Sequence, residues 1–179
     1  MRHATLSNPP RFALTARVPG RITLTADTGA VAHMFVLEDD IVRLLLLATG
    51  TVTSPPSWAI APGAADIAEP GRDRMDVGGF TCPAFDCVAT EDRLTLTTTR
   101  LRLTIRLHGL HCRWEQRDGD TWRPMAADRP TQAYDFGWWD GRAHHYLARR
   151  PDERFYGLGD RTGDTNRAGR RFRLTNVDP

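Results

Sequence analysis

Hydrophobic and polar residues alternate with a period of two along most of this chain, which is typical of β-strands with one buried face. The alternation first appears in residues 22–26. Segments 31–37 and 41–47 then flank an acidic stretch, 38–40, and this arrangement predicts a hairpin with an acidic turn. Because the second arm, 41–47, is almost continuously apolar, we expect both of its faces to be covered.

The alternation is clearest between residues 94 and 125. Apolar residues first occupy even positions, then odd positions in 101–107, and even positions again from Leu110. Each change of phase requires a turn or a bulge, because a shift of one residue moves every side chain to the other face of the sheet. We therefore predict turns at 98–100 and near Gly109.

A further hairpin turn is predicted at residues 117–120, where Asp-Gly accepts the positive φ that such turns need, and Trp122 opens the next strand. No segment of ten or more residues shows apolar residues at helical spacing. Many short strands separated by frequent turns indicate an all-β fold, an antiparallel sandwich or barrel with few or no helices.

Three regions follow from these patterns: a proline-containing loose leader at 1–20, a β-sandwich body at 21–152, and a segment rich in glycine and arginine at 153–179. Within the body, residues 54–72 are rich in Pro, Gly and Ala and predict a long irregular connection. Trp58 and Ile60 are the expected anchors of this connection.

The composition is that of a soluble globular protein of one ordinary domain: 179 residues, 40% hydrophobic and 26% charged. The net charge of +2 is too small to indicate a nucleic acid or a membrane surface as partner. The three cysteines are an odd number without a framework spacing, and the N-terminus lacks an apolar core of signal-peptide length. We therefore expect a reducing, cytoplasmic location.

Candidate metal ligands are present, but their spacing is unlike that of a zinc site, which usually combines two close ligand pairs. These residues are Cys82, Cys87, His108, His111, Cys112, His144 and His145. We predict that they have core and surface roles and that no metal or other cofactor is bound.

Other catalytic signatures are weak. No Gly-x-Ser-x-Gly sequence occurs, and the glycines at 157–163 are not followed by the helix that a dinucleotide-binding loop requires. Glycoside hydrolysis uses two carboxyl groups, but no pair stands out by position. The loop acids are Asp135, Asp140, Asp152, Glu153, Asp160, Asp164 and Asp178.

Two adjacent aromatic residues, Trp138 and Trp139, could form a sugar-stacking platform. Neighbouring residues on a strand point to opposite faces. One tryptophan is therefore expected in the core, with the other facing solvent or a second domain, and core or interface roles are favoured over sugar stacking.

The C-terminal sequence resembles the end of the N-terminal domain of glycoside hydrolase family 31, the α-glucosidase family. The resemblance is carried by Glu153-Arg-Phe-Tyr-Gly-Leu-Gly-Asp-Arg-Thr-Gly163, by Asn166-Arg-Ala-Gly-Arg170 and by Asn176-Val-Asp178. It extends more weakly upstream, over 38–43, 58–62 and 94–114.

The resemblance implies a β-sandwich like that of galactose mutarotase, packed on a (β/α)₈ barrel. Such a barrel takes about 250 residues and in this family carries both catalytic aspartates of a retaining mechanism. The barrel does not lie within these 179 residues, so the chain is expected to be a catalytically silent N-terminal domain, with the barrel of the same polypeptide and a small sugar or oligosaccharide as partners.

Only one functional residue carries over from the family. Asp178 matches an acidic residue on a loop that reaches across the barrel mouth, where a carboxylate accepts hydroxyl hydrogen bonds from the sugar. The resemblance also implies that Gly157 and Gly159 let the backbone bend toward the barrel, with Phe155 and Tyr156 anchoring the bend.

Two alternatives to a silent N-terminal domain stay open. The first is a free-standing carbohydrate-binding or mutarotase-like module, whose acid–base groups would come from His108, His111, His144 and His145. The second is a scaffold with an exposed apolar face, to which Trp138 or Trp139, Phe155 and Tyr156 would contribute; such a face could also produce a homo-oligomer.

Overall fold

A computed structural model describes residues 9–52, 71–135, 144–158 and 163–172. The chain divides into two compact units, Met1–Ala148 and Arg149–Pro179. In the described residues every regular element is a β-strand and every pairing between strands is antiparallel. The predicted all-β class is therefore confirmed.

The first unit contains two main sheets and a short hairpin. The four-stranded sheet has the order β1-β2-β3-β4, the five-stranded sheet has the order β5-β6-β7-β8-β9, and β10 pairs with β11. The strands are β1 Phe12–Val18, β2 Arg21–Ala26, β3 Val31–Glu38, β4 Ile41–Leu47, β5 Asp86–Ala89, β6 Arg93–Thr97, β7 Leu101–Arg106, β8 His111–Asp118, β9 Thr121–Ala127, β10 Tyr134–Asp135 and β11 His144–His145.

The four-stranded sheet contains the hairpin that the acidic stretch predicted. Its arms are β3 and β4, and their register shifts between Val36 and Glu38. The expectation that β4 is covered on both faces is met only in part, because Val42 to Leu46 are half-buried and only Leu47 is buried. Phe35 is buried on the outer face of this sheet, where the guanidinium groups of Arg21 and Arg43 lie over its ring.

The five-stranded sheet confirms the predicted phase changes. β6 ends at Thr97 and β7 begins at Leu101, as the turn at 98–100 requires. Gly109 lies between β7 and β8 with a positive φ. Gly119, between β8 and β9, has φ 57°, a conformation that glycine adopts without strain.

β9 forms the edge of the five-stranded sheet. Its register against β8 shifts between Trp114 and Glu115, and Pro124 lies opposite Glu115. At the C-terminal end of β9 the edge is partly covered, because the backbone N–H of Ala148 donates to the carbonyl of Ala127.

The core lies between the two main sheets and consists of residues from the alternating inward positions of both. Leu24 and Met34 from one sheet and Leu94, Leu103 and Ile105 from the other are 0% exposed. Burial of each such side chain stabilises the fold by about 1.5–3 kcal/mol. The packing of two antiparallel sheets over one core is that of a β-sandwich.

The loose leader predicted for residues 1–20 is wrong where the structure describes it, because β1 occupies most of that region. Phe12 is in the core, and its N–H donates to the carbonyl of Leu107 in the other half of the sandwich. The remaining β1 side chains are exposed. The even positions 12–18 are apolar in the sequence, but the flanking prolines favoured a loose segment over a strand.

The second unit, Arg149–Pro179, contains no strand among its described residues and is built from turns. The sequence placed this division slightly later, between residues 152 and 153. The side-chain oxygen of Asn166 accepts hydrogen bonds from the N–H groups of Phe155 and Ala168. Gly157 has φ 99°, a conformation that favours glycine, while the predicted bend toward a barrel stays a prediction.

Across the described ranges, no helix is both long and apolar enough to cross a membrane. The irregular connection and its anchors Trp58 and Ile60 lie outside the described residues.

Candidate functional site

A polar groove of about 560 Å³ lies on the outer face of the five-stranded sheet, opposite the core. The same strands place leucine and isoleucine toward the core and arginine, threonine and acidic residues on this outer face. The residues that carry its charge are Arg93, Arg102, Arg106, Arg113, Glu115, Asp128 and His111. We call this surface the outer groove.

Glu115 is a buried carboxylate at the centre of the outer groove. Its Oε2 accepts a hydrogen bond of 2.8 Å from Nε of Arg102, and its Oε1 lies 3.3 Å from Nη2 of Arg113. The hydrogen bond from Arg102, reinforced by the charges of Arg102 and Arg113, lowers the pKa of Glu115 below its ordinary value. Glu115 is therefore ionised near neutral pH and neutralises part of the surrounding positive charge.

Asp128, at one end of the outer groove, has a side chain that is 0% exposed. Its Oδ2 accepts a 2.8 Å hydrogen bond from the backbone N–H of Cys112, and its Oδ1 lies 2.8 Å from Nε2 of His145. The imidazole of His145 stacks on the ring of Tyr134 with centroids 4.4 Å apart. A half-exposed histidine held by a buried carboxylate is an arrangement that can transfer protons.

Two further groups beside Asp128 are held in their protonated forms. Burial raises the pKa of the Cys112 thiol, and the negative charge of Asp128 raises it further. Burial also raises the pKa of the Tyr134 hydroxyl, and the neighbouring Cys112 and Asp128 raise it further. Cys112 is thus a core residue rather than a nucleophile, because the reactive form of cysteine is the thiolate.

His111 lies on the same strand as Cys112 and faces the outer groove. Burial lowers the pKa of His111, and the positive charge of Arg106 directly opposite lowers it further. The hydrogen bond from its Nδ1 to the carbonyl of Arg129 and the charge of Asp128 act in the opposite direction. The net effect is a lowered pKa, with burial as its largest cause.

The candidate metal ligands named from the sequence do not assemble into a site in the described part of the chain. No group of three His, Cys, Asp or Glu residues is placed there to hold a metal ion. Cys82 lies against Gly20, while Cys112 is buried in the core beside Tyr134. All three cysteines are free thiols.

The other predicted site residues fall into two groups. Asp178, Gly159 and the pair Trp138-Trp139 lie outside the described residues. Phe155 and Tyr156 are exposed, as a scaffold with an uncovered apolar face would require, and their role as anchors of a bend toward the barrel stays a prediction.

Sequence reasoning brought forward His145 but missed its partner Asp128, as well as Glu115. The roles of both acids become visible only in the fold, because Asp128 comes directly after the edge strand and Glu115 lies at a register shift. A signal for the outer groove was present, because the outward positions of β6 and β7 carry only arginine and threonine.

Comparisons with known proteins agree with this architecture. Residues 31–179 match the sequence profile of the glycosyl hydrolase 31 N-terminal galactose mutarotase-like domain. No curated protein matches the chain. Two structures of a GH31 dextranase from Flavobacterium johnsoniae, one with glucose and one of a D412A mutant with isomaltotriose, are similar in fold. For each, the TM-score is 0.65, the sequence identity is 13%, and the alignment covers 93% of this chain and 18% of the dextranase chain.

Proposed function

Because the chain belongs to the N-terminal galactose mutarotase-like domain family of glycosyl hydrolase 31, we propose that it is the non-catalytic β-sandwich domain of an α-glycosidase. The observation that carries the proposal is the family match over residues 31–179, on a chain that folds as an antiparallel sandwich. In the full-length protein the reaction is hydrolysis of O-glycosyl bonds with retention of configuration.

The proposal assigns the catalytic carboxylates to a (β/α)₈ barrel in the same polypeptide. The similar dextranase supports this division, since the present chain spans only 18% of its length. A retaining glycosidase needs one carboxylate as nucleophile and a second as acid and then base, about 5–5.5 Å apart. The two buried carboxylates in the described residues do not provide this pair, because Glu115 is neutralised by arginines and Asp128 is bonded to a backbone N–H.

Asp178 is proposed to contribute to substrate binding at the border of the active site. A carboxylate on a loop over the barrel mouth can accept two hydroxyl hydrogen bonds from a sugar. The proposal also places the protein in the cytoplasm, where its odd number of unpaired cysteines would stay reduced.

The test compares residues 1–179 with the product of the whole gene, using aryl α-glucosides as substrates. We expect no turnover by residues 1–179 and turnover by the whole product. In the whole product, Asp178→Asn should raise KM, while the matched variant Asp152→Asn, at an exposed position, should not. Turnover by residues 1–179 alone would contradict the proposal.

A second candidate function, a mutarotase-like module, is favoured by one observation, the contact between His145 and Asp128. NMR measurement of α-glucose anomerisation tests it, because a general acid–base pair should accelerate the exchange. His145→Ala should abolish any acceleration, whereas His144→Ala, which removes an exposed neighbour that stacks on Tyr146, should preserve it. Equal rates with and without the protein would eliminate this candidate.

A further inference from the structure

The outer groove holds more positive charge than its own acids neutralise. Four arginines line it, against two buried carboxylates. All four carboxylate oxygens already have partners: those of Glu115 bond to Arg102 and Arg113, and those of Asp128 bond to a backbone N–H and to a histidine. Neither acid forms an ion pair with the remaining two arginines.

Those two arginines, Arg93 and Arg106, lie directly opposite each other on β6 and β7. Nη2 of Arg106 donates to the carbonyl of Pro130 at 3.3 Å, and neither guanidinium forms an ion pair within the described ranges. Like charges at directly opposed positions of an antiparallel pair destabilise the sheet. An anion bound between the two side chains would offset the repulsion between their charges.

The next pair along the same two strands is Thr95 opposite Thr104, and both threonines line the groove. The site therefore offers two guanidinium forks beside two hydroxyl groups. Guanidinium groups match the planar, bidentate geometry of carboxylates and bind phosphate and sulfate in the same way. Hydroxyl groups add hydrogen bonds to the oxygens of a sugar or polyol.

We propose that the outer groove is a binding site for a small oxyanion-bearing ligand, with Arg93 and Arg106 holding the oxyanion and Thr95 and Thr104 contacting the adjoining hydroxyl groups. A volume of about 560 Å³ is within the usual range of small-molecule sites, so a carboxylated monosaccharide fits. The site lies on the sheet face and does not depend on the proposed role in glycoside hydrolysis.

The experiment is isothermal titration of residues 1–179 at low ionic strength with three probes: D-glucuronate, inorganic sulfate and D-glucose. Glucuronate binding stronger than sulfate binding identifies a sugar acid, and equal binding identifies an oxyanion site without selectivity for the sugar. Both results support the proposal. Binding of glucose with the same affinity as glucuronate, or no binding of either anion, would overturn it.

Arg93→Gln and Arg106→Gln should each weaken glucuronate binding about tenfold or more, because each removes charge-assisted hydrogen bonds. The matched control is Arg123→Gln on β9, which removes the same charge from the same sheet but does not line the groove. A loss of the same size in the control would show that diffuse charge, rather than the groove, attracts the anion, and would refute the site.

NMR locates the site independently of affinity. Binding should shift the backbone amide signals of β6 and β7, and the bound anion should raise the pKa of His111, which Arg106 otherwise helps to lower. The charged neighbours of His111 are Arg106, His108 and Asp128, so this rise should be absent in Arg106→Gln. Folding of each variant is checked by the dispersion of the same spectra.

Amide shifts confined to other strands would contradict the proposal. None of these measurements requires turnover, so failure here would leave the proposed hydrolase role untouched.

Discussion

Replacement of Glu115 by Gln tests whether the ion pairs on the outer face of the five-stranded sheet stabilise the fold. The side chain of Glu115 is 7% exposed, and that of its partner Arg102 is 32% exposed. A glutamine keeps the size and one acceptor oxygen but removes the charge from two hydrogen bonds. Hydrogen bonds to charged groups contribute about 1.5–3 kcal/mol each. Because Arg102 keeps partial contact with water, we expect a loss of about 1–3 kcal/mol in the free energy of unfolding at neutral pH.

The effect of Glu115→Gln should depend on pH in a defined direction. The pKa of Glu115 is lower in the folded state than its ordinary value, so the unfolded chain binds more protons between these two pKa values. The stabilisation by Glu115 is therefore fully present above the ordinary pKa and is lost as the pH falls through the folded-state pKa. Since glutamine does not titrate, the difference between the native protein and the variant should shrink on acidification.

The assay is urea unfolding followed by tryptophan fluorescence at a series of pH values, with Asp118→Asn as the matched control. Asp118 is on the same strand, and its Oδ2 lies 3.4 Å from Nη1 of Arg123 in an exposed pair. Such pairs contribute little, so the control should change the free energy of unfolding by less than about 0.5 kcal/mol. The reasoning is refuted if Glu115→Gln costs no more than this control, or if its cost is unchanged at acid pH.

Two further substitutions test the core and the buried carboxylate. Leu103→Ala should lower the free energy of unfolding by about 2–5 kcal/mol, because Leu103 is 0% exposed between the sheets. Its control is Val88→Ala on the edge strand β5, where the side chain is 65% exposed and the free energy of unfolding should change little. Similar urea midpoints for the two variants would contradict the sandwich core. Asp128→Ala should cost about 1–3 kcal/mol by leaving the buried N–H of Cys112 without an acceptor. Asp86→Ala, at an exposed position, is its control in the same thermal unfolding assay, and an Asp128→Ala protein as stable as the control would count against this role.

The strands that could be predicted from the sequence are those with one clearly apolar face. β6 and β7 alternate strictly, and a change of phase at the connections from β6 to β7 and from β7 to β8 revealed the turns. β1 was predicted as a loose segment because prolines flank it, although apolar residues occupy its even positions 12–18.

The site was harder to predict than the fold, because its contacts join residues that are distant in sequence. His145 was a candidate from its residue type, but its partner Asp128 is 17 positions away and meets it only through the short β10–β11 hairpin. The opposed arginines depend on the register of β6 against β7, which the alternation alone does not fix. Residue types can be read from a sequence, whereas pairings across a sheet require the register.

Pro124 in β9 has a consequence for how molecules of this protein can associate. An edge strand presents unpaired N–H and C=O groups that can template addition of a strand from another chain, which leads to aggregation. Proline has no N–H to offer, and the register shift beside it interrupts the regular spacing of the ladder. The contact from Ala148 occupies the carbonyl at the far end. Extension of the five-stranded sheet along β9 is thereby disfavoured, and self-association of this domain would have to use side chains instead of backbone pairing at that edge.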